Sequence, residues 1–338
     1  MGNKLRSRIS NFSQPAILKA NYLLNNYREV IWLIGDGRSG TTWVSDMINH
    51  ERKYREMFEP FHPKYVRSLS FISPHQYIRK DESNERLEQL TSKILSGKFT
   101  HPRIDSENRS FRYRGLLIKD IFANLLSHWA TSKFPEVRPV MLLRNPFAVA
   151  ISKYKKSDWY WAIEPRHLLN QKSLHNDYLQ PFEEIIARVS DEKNHILNLI
   201  LIWSVINYVP LRQFRPGEIH LCFYEHIYEN PTLEIRKILQ FVRRTKEKPK
   251  IKLPKAVIER PSRVIGNDSN LLSATSPISS WKNELTPKLI DEGQRILQCF
   301  GLDKLYDENS MPNAKELRAI LESPDSSLDT QPRSGTSL

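Results

Sequence analysis

The sequence predicts an α/β chain, a parallel sheet flanked by helices on both faces with helical insertions, and three observations carry that prediction. Strand-like and helix-like segments alternate along the chain. The first apolar run, Val30 to Ile34, opens into a glycine-rich turn that feeds a helical segment from Thr41 to His50. Further short runs at Leu116 to Ile118, Val140 to Leu143 and Ile219 to Tyr224 have the continuous hydrophobicity of strands buried on both faces. Leu197 to Leu211 is apolar on every side and reads as a buried helix broken near Pro210. With 338 residues and no internal repeat, the chain can bury a sizeable core. One domain is expected over 30–310, after an N-terminal extension over 1–29. The polar segment 311–338 reads as a tail, disordered at least from Ser323, where small polar residues take over.

The turn after the first strand reads GDGRSGTTW. Gly35 and Gly40 stand five apart, the spacing of a phosphate-cradling loop at a helix N-terminus, which makes the sheet P-loop-like. That spacing demands lysine where this chain has Thr41, and the nearest cation is Arg38, inside the loop. The loop therefore suits a nucleotide phosphate but not ordinary Mg-ATP chemistry, which disfavours a P-loop kinase. A second pattern lies in VMLLRNPFAVAISKYKK, where Arg144 directly follows a strand and Ser152 comes eight residues later on the next helix. A guanidinium for bidentate contact and a small hydroxyl donor suit a second phosphate. Lys156 falls one turn beyond Ser152 on the same helix face.

GRSGTTW closely resembles the 5′-phosphosulfate loop of sulfotransferases that use 3′-phosphoadenosine-5′-phosphosulfate (PAPS), in the arginine-containing version of carbohydrate and tyrosylprotein enzymes. Arg144 and Ser152 are similar to the family's 3′-phosphate motif. Softer resemblances run in order through Phe58-Glu59-Pro60, Lys119-Asp120, Phe223-Tyr224-Glu225 with Glu229-Asn230-Pro231, and Trp281-Lys282 with Leu285. His226 replaces the usual aspartate, and PSRVIGNDSN fits the nucleotide-covering loop only loosely.

The resemblance implies PAPS as co-substrate and no metal. It assigns Arg38, Ser39, Gly40, Thr41, Thr42 and Trp43 to the 5′ end of the donor, and Arg144, Ser152 and Lys156 to its 3′-phosphate. Tyr224, Arg263 and Ser269 complete the nucleotide site. Sulfuryl transfer resembles phosphoryl transfer, an in-line displacement that needs positive charge at the leaving oxygen and a base at the acceptor hydroxyl. Arg38 supplies the charge that Mg²⁺ supplies in kinases. Glu59 is the expected base, with His62 and Asp120 in reserve, while Lys119 touches the transferring sulfonate. The FEP and KD matches imply a carbohydrate hydroxyl as acceptor.

A net charge of +13 creates a field that attracts anions, as a doubly phosphorylated donor or an acidic acceptor requires. It equally motivates a non-catalytic anion- or nucleic-acid-binding protein, but the basic stretch from Arg236 to Lys255 reads first as a solvated face, and nucleic acid is not expected as a partner. Trp159 and Trp161 suit stacking on a sugar or adenine as well as packing within an insertion. Cys222 and Cys299 have apolar neighbours and are expected to be buried thiols. No segment reaches the length of a membrane span, and the first thirty residues lack a signal peptide's apolar core, so a cytoplasmic enzyme is expected.

Overall fold

The computed structural model describes residues 14–156, 159–260 and 276–322. Arg263, Ser269 and the tail from residue 323 lie outside them. Five strands form one parallel sheet: β1 (Glu29–Gly35), β2 (Tyr54–Phe58), β3 (Gly115–Asp120), β4 (Pro139–Leu143) and β5 (His220–Phe223). Their order is β2-β3-β1-β4-β5. The chain winds first to one side of β1 and then to the other, so its direction reverses between β1 and β4. A crevice opens at the carboxyl edge of a sheet at such a point.

Alternation of side chains splits the core between two faces. Ile31, Leu33, Val140 and Leu142 pack with Trp43, Val44 and Met47 of helix α1 (Thr41–Ile48). Trp32, Ile34, Met141 and Leu143 point the other way, into a larger cluster with helices α2 (Pro146–Tyr154) and α3 (His195–Gln213).

Helix α3 corrects one expectation, because it runs through Pro210 to Gln213 instead of breaking. Proline removes the donor for the Ile206 carbonyl, and the side-chain amide of Asn124 approaches that oxygen at 3.4 Å. At 19 residues α3 is also long and apolar enough to cross a membrane, which the sequence reading did not anticipate. Most of it is buried inside this fold, as a core helix would be.

Helices flank the expected domain at both ends. Residues 14–23 are helical, with Leu18 in the core and the Gln14 amide donating to the carbonyls of Asp105 and Asn108. Ala314–Glu322, assigned from sequence to the polar tail, is a helix that buries Ile320. Cys222 is buried as expected, whereas Cys299 is exposed.

One buried cation ties the edge strand to the loop beside it. Arg55 on β2 is fully buried, with its Nε 2.9 Å from Asp105 and its other nitrogens on the carbonyls of Gly97 and Phe99. Asp105 in turn accepts the His101 amide at 3.0 Å, so the whole 97–105 segment is pinned to β2. Arg55→Ala would leave Asp105 buried and unpaired, and the expected loss is about 3–5 kcal/mol of stability in urea unfolding.

Candidate active site

The carboxyl ends of the five strands lay the sequence-identified residues along one line. Glu59 follows β2, Lys119 and Asp120 end β3, the glycine loop leaves β1, Arg144 follows β4 and Tyr224 follows β5. Neighbouring strands are about 4.8 Å apart, so Glu59 and Tyr224 stand on opposite sides of the loop, each two strands away.

The loop is shaped by backbone conformations that only some residues accept. Gly40 has φ 98°, and a Cβ there would lie 2.6 Å from the Tyr224 ring. As the residue before α1 it has no side chain to cap the helix, which leaves the first-turn N–H groups of Thr41, Thr42 and Trp43 without an intrahelical acceptor. With the helix dipole, this end favours an anion. Ser39 does not add its hydroxyl to that cradle. Its Oγ donates to the Asp36 carbonyl at 2.6 Å and its backbone N–H to the same oxygen at 3.2 Å. Ser39 is therefore a strut of the loop.

Lys153 is a participant that sequence reasoning missed. Its ammonium is buried between the two oxygens of Asp36, at 2.6 and 2.7 Å. Burial pushes the Asp36 carboxyl up, and Lys153 only partly opposes it. Trp161 closes over the same turn, since a Cβ on Gly37 would lie 2.5 Å from its ring. The indole N–H of Trp161 donates to the Lys156 carbonyl at 2.8 Å, which holds Lys156, two residues beyond α2, near the loop.

The two sequence motifs, a hundred residues apart, meet at the crevice. Arg38, at φ 72°, donates from Nε to the Ser152 hydroxyl at 2.9 Å, and its guanidinium lies 5.2 Å from the Trp159 ring centroid. Arg144 donates to the Arg38 carbonyl at 3.0 Å and the Pro277 carbonyl at 3.1 Å. Its guanidinium sits 4.1 Å over Tyr224, and its buried Nε has no hydrogen-bond partner among the described residues. The Tyr224 ring is 5.4 Å from Trp43, whose indole N–H donates to the Ile258 carbonyl at 3.1 Å.

At the other end, the Glu59 amide donates to the Lys119 carbonyl at 2.7 Å and extends the β2–β3 pairing by one residue. The chain then turns sharply with Glu59 at φ 52°. Its carboxylate is buried, with Oε1 2.7 Å from Lys119 Nζ and Oε2 3.1 Å from Arg103 Nη2. Burial alone would raise this carboxyl, but the two cations outweigh it and hold it below the usual value. Arg103 carries no motif in the sequence, and the segment that bears it is held to β2 by the Arg55–Asp105 pair and by the Phe58 amide, which donates to the Ile104 carbonyl at 3.0 Å.

Asp120 faces inward. Its two oxygens accept the amides of Phe61 and Phe122, each at 2.7 Å, and burial pushes it up to about 7. It fixes the turn that carries Glu59. His62 is buried among Tyr65, Phe122 and Tyr160, with ring centroids at 4.3, 4.6 and 5.5 Å, and burial pushes its imidazole down to about 4. Among the described residues, no group of three or more His, Cys, Asp or Glu side chains could hold a metal ion.

A family model described as the sulfotransferase domain matches residues 28–310. Solved structures similar to the chain include a sulfotransferase from Alicyclobacillus acidocaldarius, at 13% identity over 89% of this chain and 99% of that one, with a TM-score of 0.43. Two others are the sulfotransferase domain from the curacin biosynthetic pathway, at 16% identity over 80% and 97% with a TM-score of 0.40, and that from the Synechococcus PCC 7002 olefin synthase, at 14% over 80% and 94% with a TM-score of 0.38. No curated protein matches. The chain belongs to the sulfotransferase family.

The contact at Gly40 makes a direct test of the loop geometry. Gly40→Ala forces a side chain onto the Tyr224 ring at a positive φ, and the expected cost is about 1–3 kcal/mol, read as a lowered melting temperature.

Proposed function

We propose that this sulfotransferase takes PAPS as its donor and transfers the sulfuryl group to a carbohydrate hydroxyl in the cytoplasm, with Glu59 as general base. The observation that carries the reading is the meeting of Arg38, Ser152 and Arg144 in one crevice. Arg144, bonded to the Arg38 carbonyl, and the Ser152 hydroxyl that Arg38 holds bring a guanidinium and a small hydroxyl to one place, as a phosphate group requires, here the 3′-phosphate. The first-turn amides of α1 take the 5′-phosphate, and the Trp43 and Tyr224 rings supply an apolar wall for the base.

Arg38 is the cation nearest the transferring group in this reading. Its bond to Ser152 holds it across the crevice, and donor binding exchanges that bond for the phosphosulfate oxygens. Positive charge then meets the leaving oxygen as it grows, and the reaction as drawn uses no metal. Glu59 is kept ionised by Lys119 and Arg103, so it is ready to take the acceptor's proton. The carbohydrate acceptor rests on the FEP and KD resemblance, and the half-exposed Tyr65 and Tyr160 beside His62 suit stacking against a sugar face.

Thermal shift offers the first test, because PAP, the desulfated product of PAPS, should stabilise the protein well beyond ATP or AMP. Arg144→Ala should weaken PAP by about 1.5–3 kcal/mol in calorimetric titration and leave AMP nearly unchanged. An equal loss for AMP would show that Arg144 only braces the loop through Arg38. Once a transfer screen over glycans, lipids and phenols with labelled PAPS finds an acceptor, Glu59→Gln should lower turnover about 10²- to 10⁴-fold with PAP binding unchanged. Near wild-type turnover in that variant would pass the role to His62.

A further inference from the structure

Of the large apolar side chains exposed among the described residues, the three most exposed fall in one place: Leu23 at 69%, Leu24 at 70% and Phe111 at 83%. Leu23 and Leu24 stand at the end of the helix that begins at residue 14, and Phe111 lies on the segment that leads into β3. The buried side chain of Asn21 fastens the two together, because its amide donates to the Phe111 carbonyl at 2.8 Å and its oxygen accepts the Tyr113 amide at 2.9 Å. Apolar side chains scattered singly over a surface need no explanation, but the most exposed ones gathered at one spot mark a surface that something else covers.

The charge around this patch indicates what covers it. Arg28, Lys53 and Arg114 immediately precede β1, β2 and β3, whose first residues pair in register, so three cations stand side by side along the amino end of the sheet at the strand spacing of about 4.8 Å. Exposed Arg52, Arg109 and Arg112 flank that row, and the Ser110 hydroxyl donates to the Arg52 carbonyl at 3.2 Å. Against them stand Glu29, Glu51 and Glu107, the first two already paired with Arg243 and Lys53, each at 2.8 Å. The excess is positive. This face lies at the opposite end of the strands from the crevice, so the phosphate motifs do not account for it.

We infer that the face binds an anionic lipid bilayer, with Leu23, Leu24 and Phe111 entering the acyl boundary and the guanidiniums around them bonding lipid phosphates. The leucines favour a bilayer over nucleic acid, which would match the arginines equally well but offers an aliphatic side chain no apolar phase. Seated this way, the chain turns its crevice toward the aqueous side. Flotation of the full chain with vesicles tests the inference without donor or acceptor, so its outcome is separate from that of the proposed transfer. Vesicles of phosphatidylglycerol and phosphatidylcholine in equal parts should carry the chain, and phosphatidylcholine alone should carry it at least about tenfold less. Leu24→Ser combined with Phe111→Ser should weaken partition at least about tenfold, since two apolar side chains then stay out of the lipid. Arg112→Gln should weaken it about fivefold on the anionic vesicles. All three side chains lie on the surface, so the melting temperature should change little. The inference is overturned if the anionic vesicles leave the chain behind, if neutral ones carry as much, or if the serine variant floats as well as the parent chain, since charge alone would then hold it, as it would hold nucleic acid.

Discussion

The buried ion pair between Asp36 and Lys153 is the constraint on which the rest of the site depends. Asp36 belongs to the glycine loop and Lys153 to α2, so the pair locks the loop after β1 to the helix after β4 across the crevice where the two motifs meet. A pair buried this completely contributes little net stability over an apolar substitute, but removing one partner leaves a charge stranded in the core. Its value is positional. Ser152 is the residue before Lys153, so fixing the lysine also fixes the hydroxyl that Arg38 holds. The same clamp sets the Asp36 carbonyl, which receives both the amide and the hydroxyl of Ser39 and so shapes the turn into Arg38 and Gly40.

With the loop fixed, the sheet order separates the two halves of the chemistry. Strands β4 and β5 carry Arg144 and Tyr224 on one side, and β3 and β2 carry Lys119 and Glu59 on the other. The residues on either side that matter most to the proposed reaction share a feature: Arg38 and Glu59 are both non-glycine residues at positive φ. That conformation is disfavoured for a side chain with a Cβ and persists only where surrounding contacts impose it. Here they do, through Arg144 on the Arg38 carbonyl and through the Lys119 carbonyl on the Glu59 amide.

What the sequence made legible was local. The strands showed as apolar runs, the anion cradle as a glycine spacing, and Arg144 with Ser152 as a pattern spanning one strand end and one helix. Pairs formed by folding left no such trace. Asp36 and Lys153 are 117 residues apart, and Glu59 and Arg103 are 44 apart, so no periodicity links them. The side-chain bonds of Ser39 and Asp120 were hidden for a related reason. Each is of a type that suits the chemistry, but each spends its hydrogen bonds on neighbouring backbone, and only coordinates show which way the side chain turns. At Pro210 the general rule that proline ends a helix yielded to tertiary packing, because the buried face of α3 is long enough to carry the chain through.

The position of β3 between β2 and β1 gives Lys119 a consequence for the proposed reaction. Its ammonium is the cation that can face either the Glu59 carboxylate or a group held at the loop, since its strand separates the two. It pairs with Glu59, which holds that carboxyl low and makes it a weak base. In the proposed reaction an anionic sulfonate at the loop would compete for the same ammonium. Whatever fraction of its attraction is withdrawn from Glu59 raises the carboxylate's proton affinity, because burial, which favours the protonated form, is then opposed by Arg103 alone. Donor binding would thus strengthen the base at the moment an acceptor can be used, and one lysine would couple the two ends of the site by charge alone.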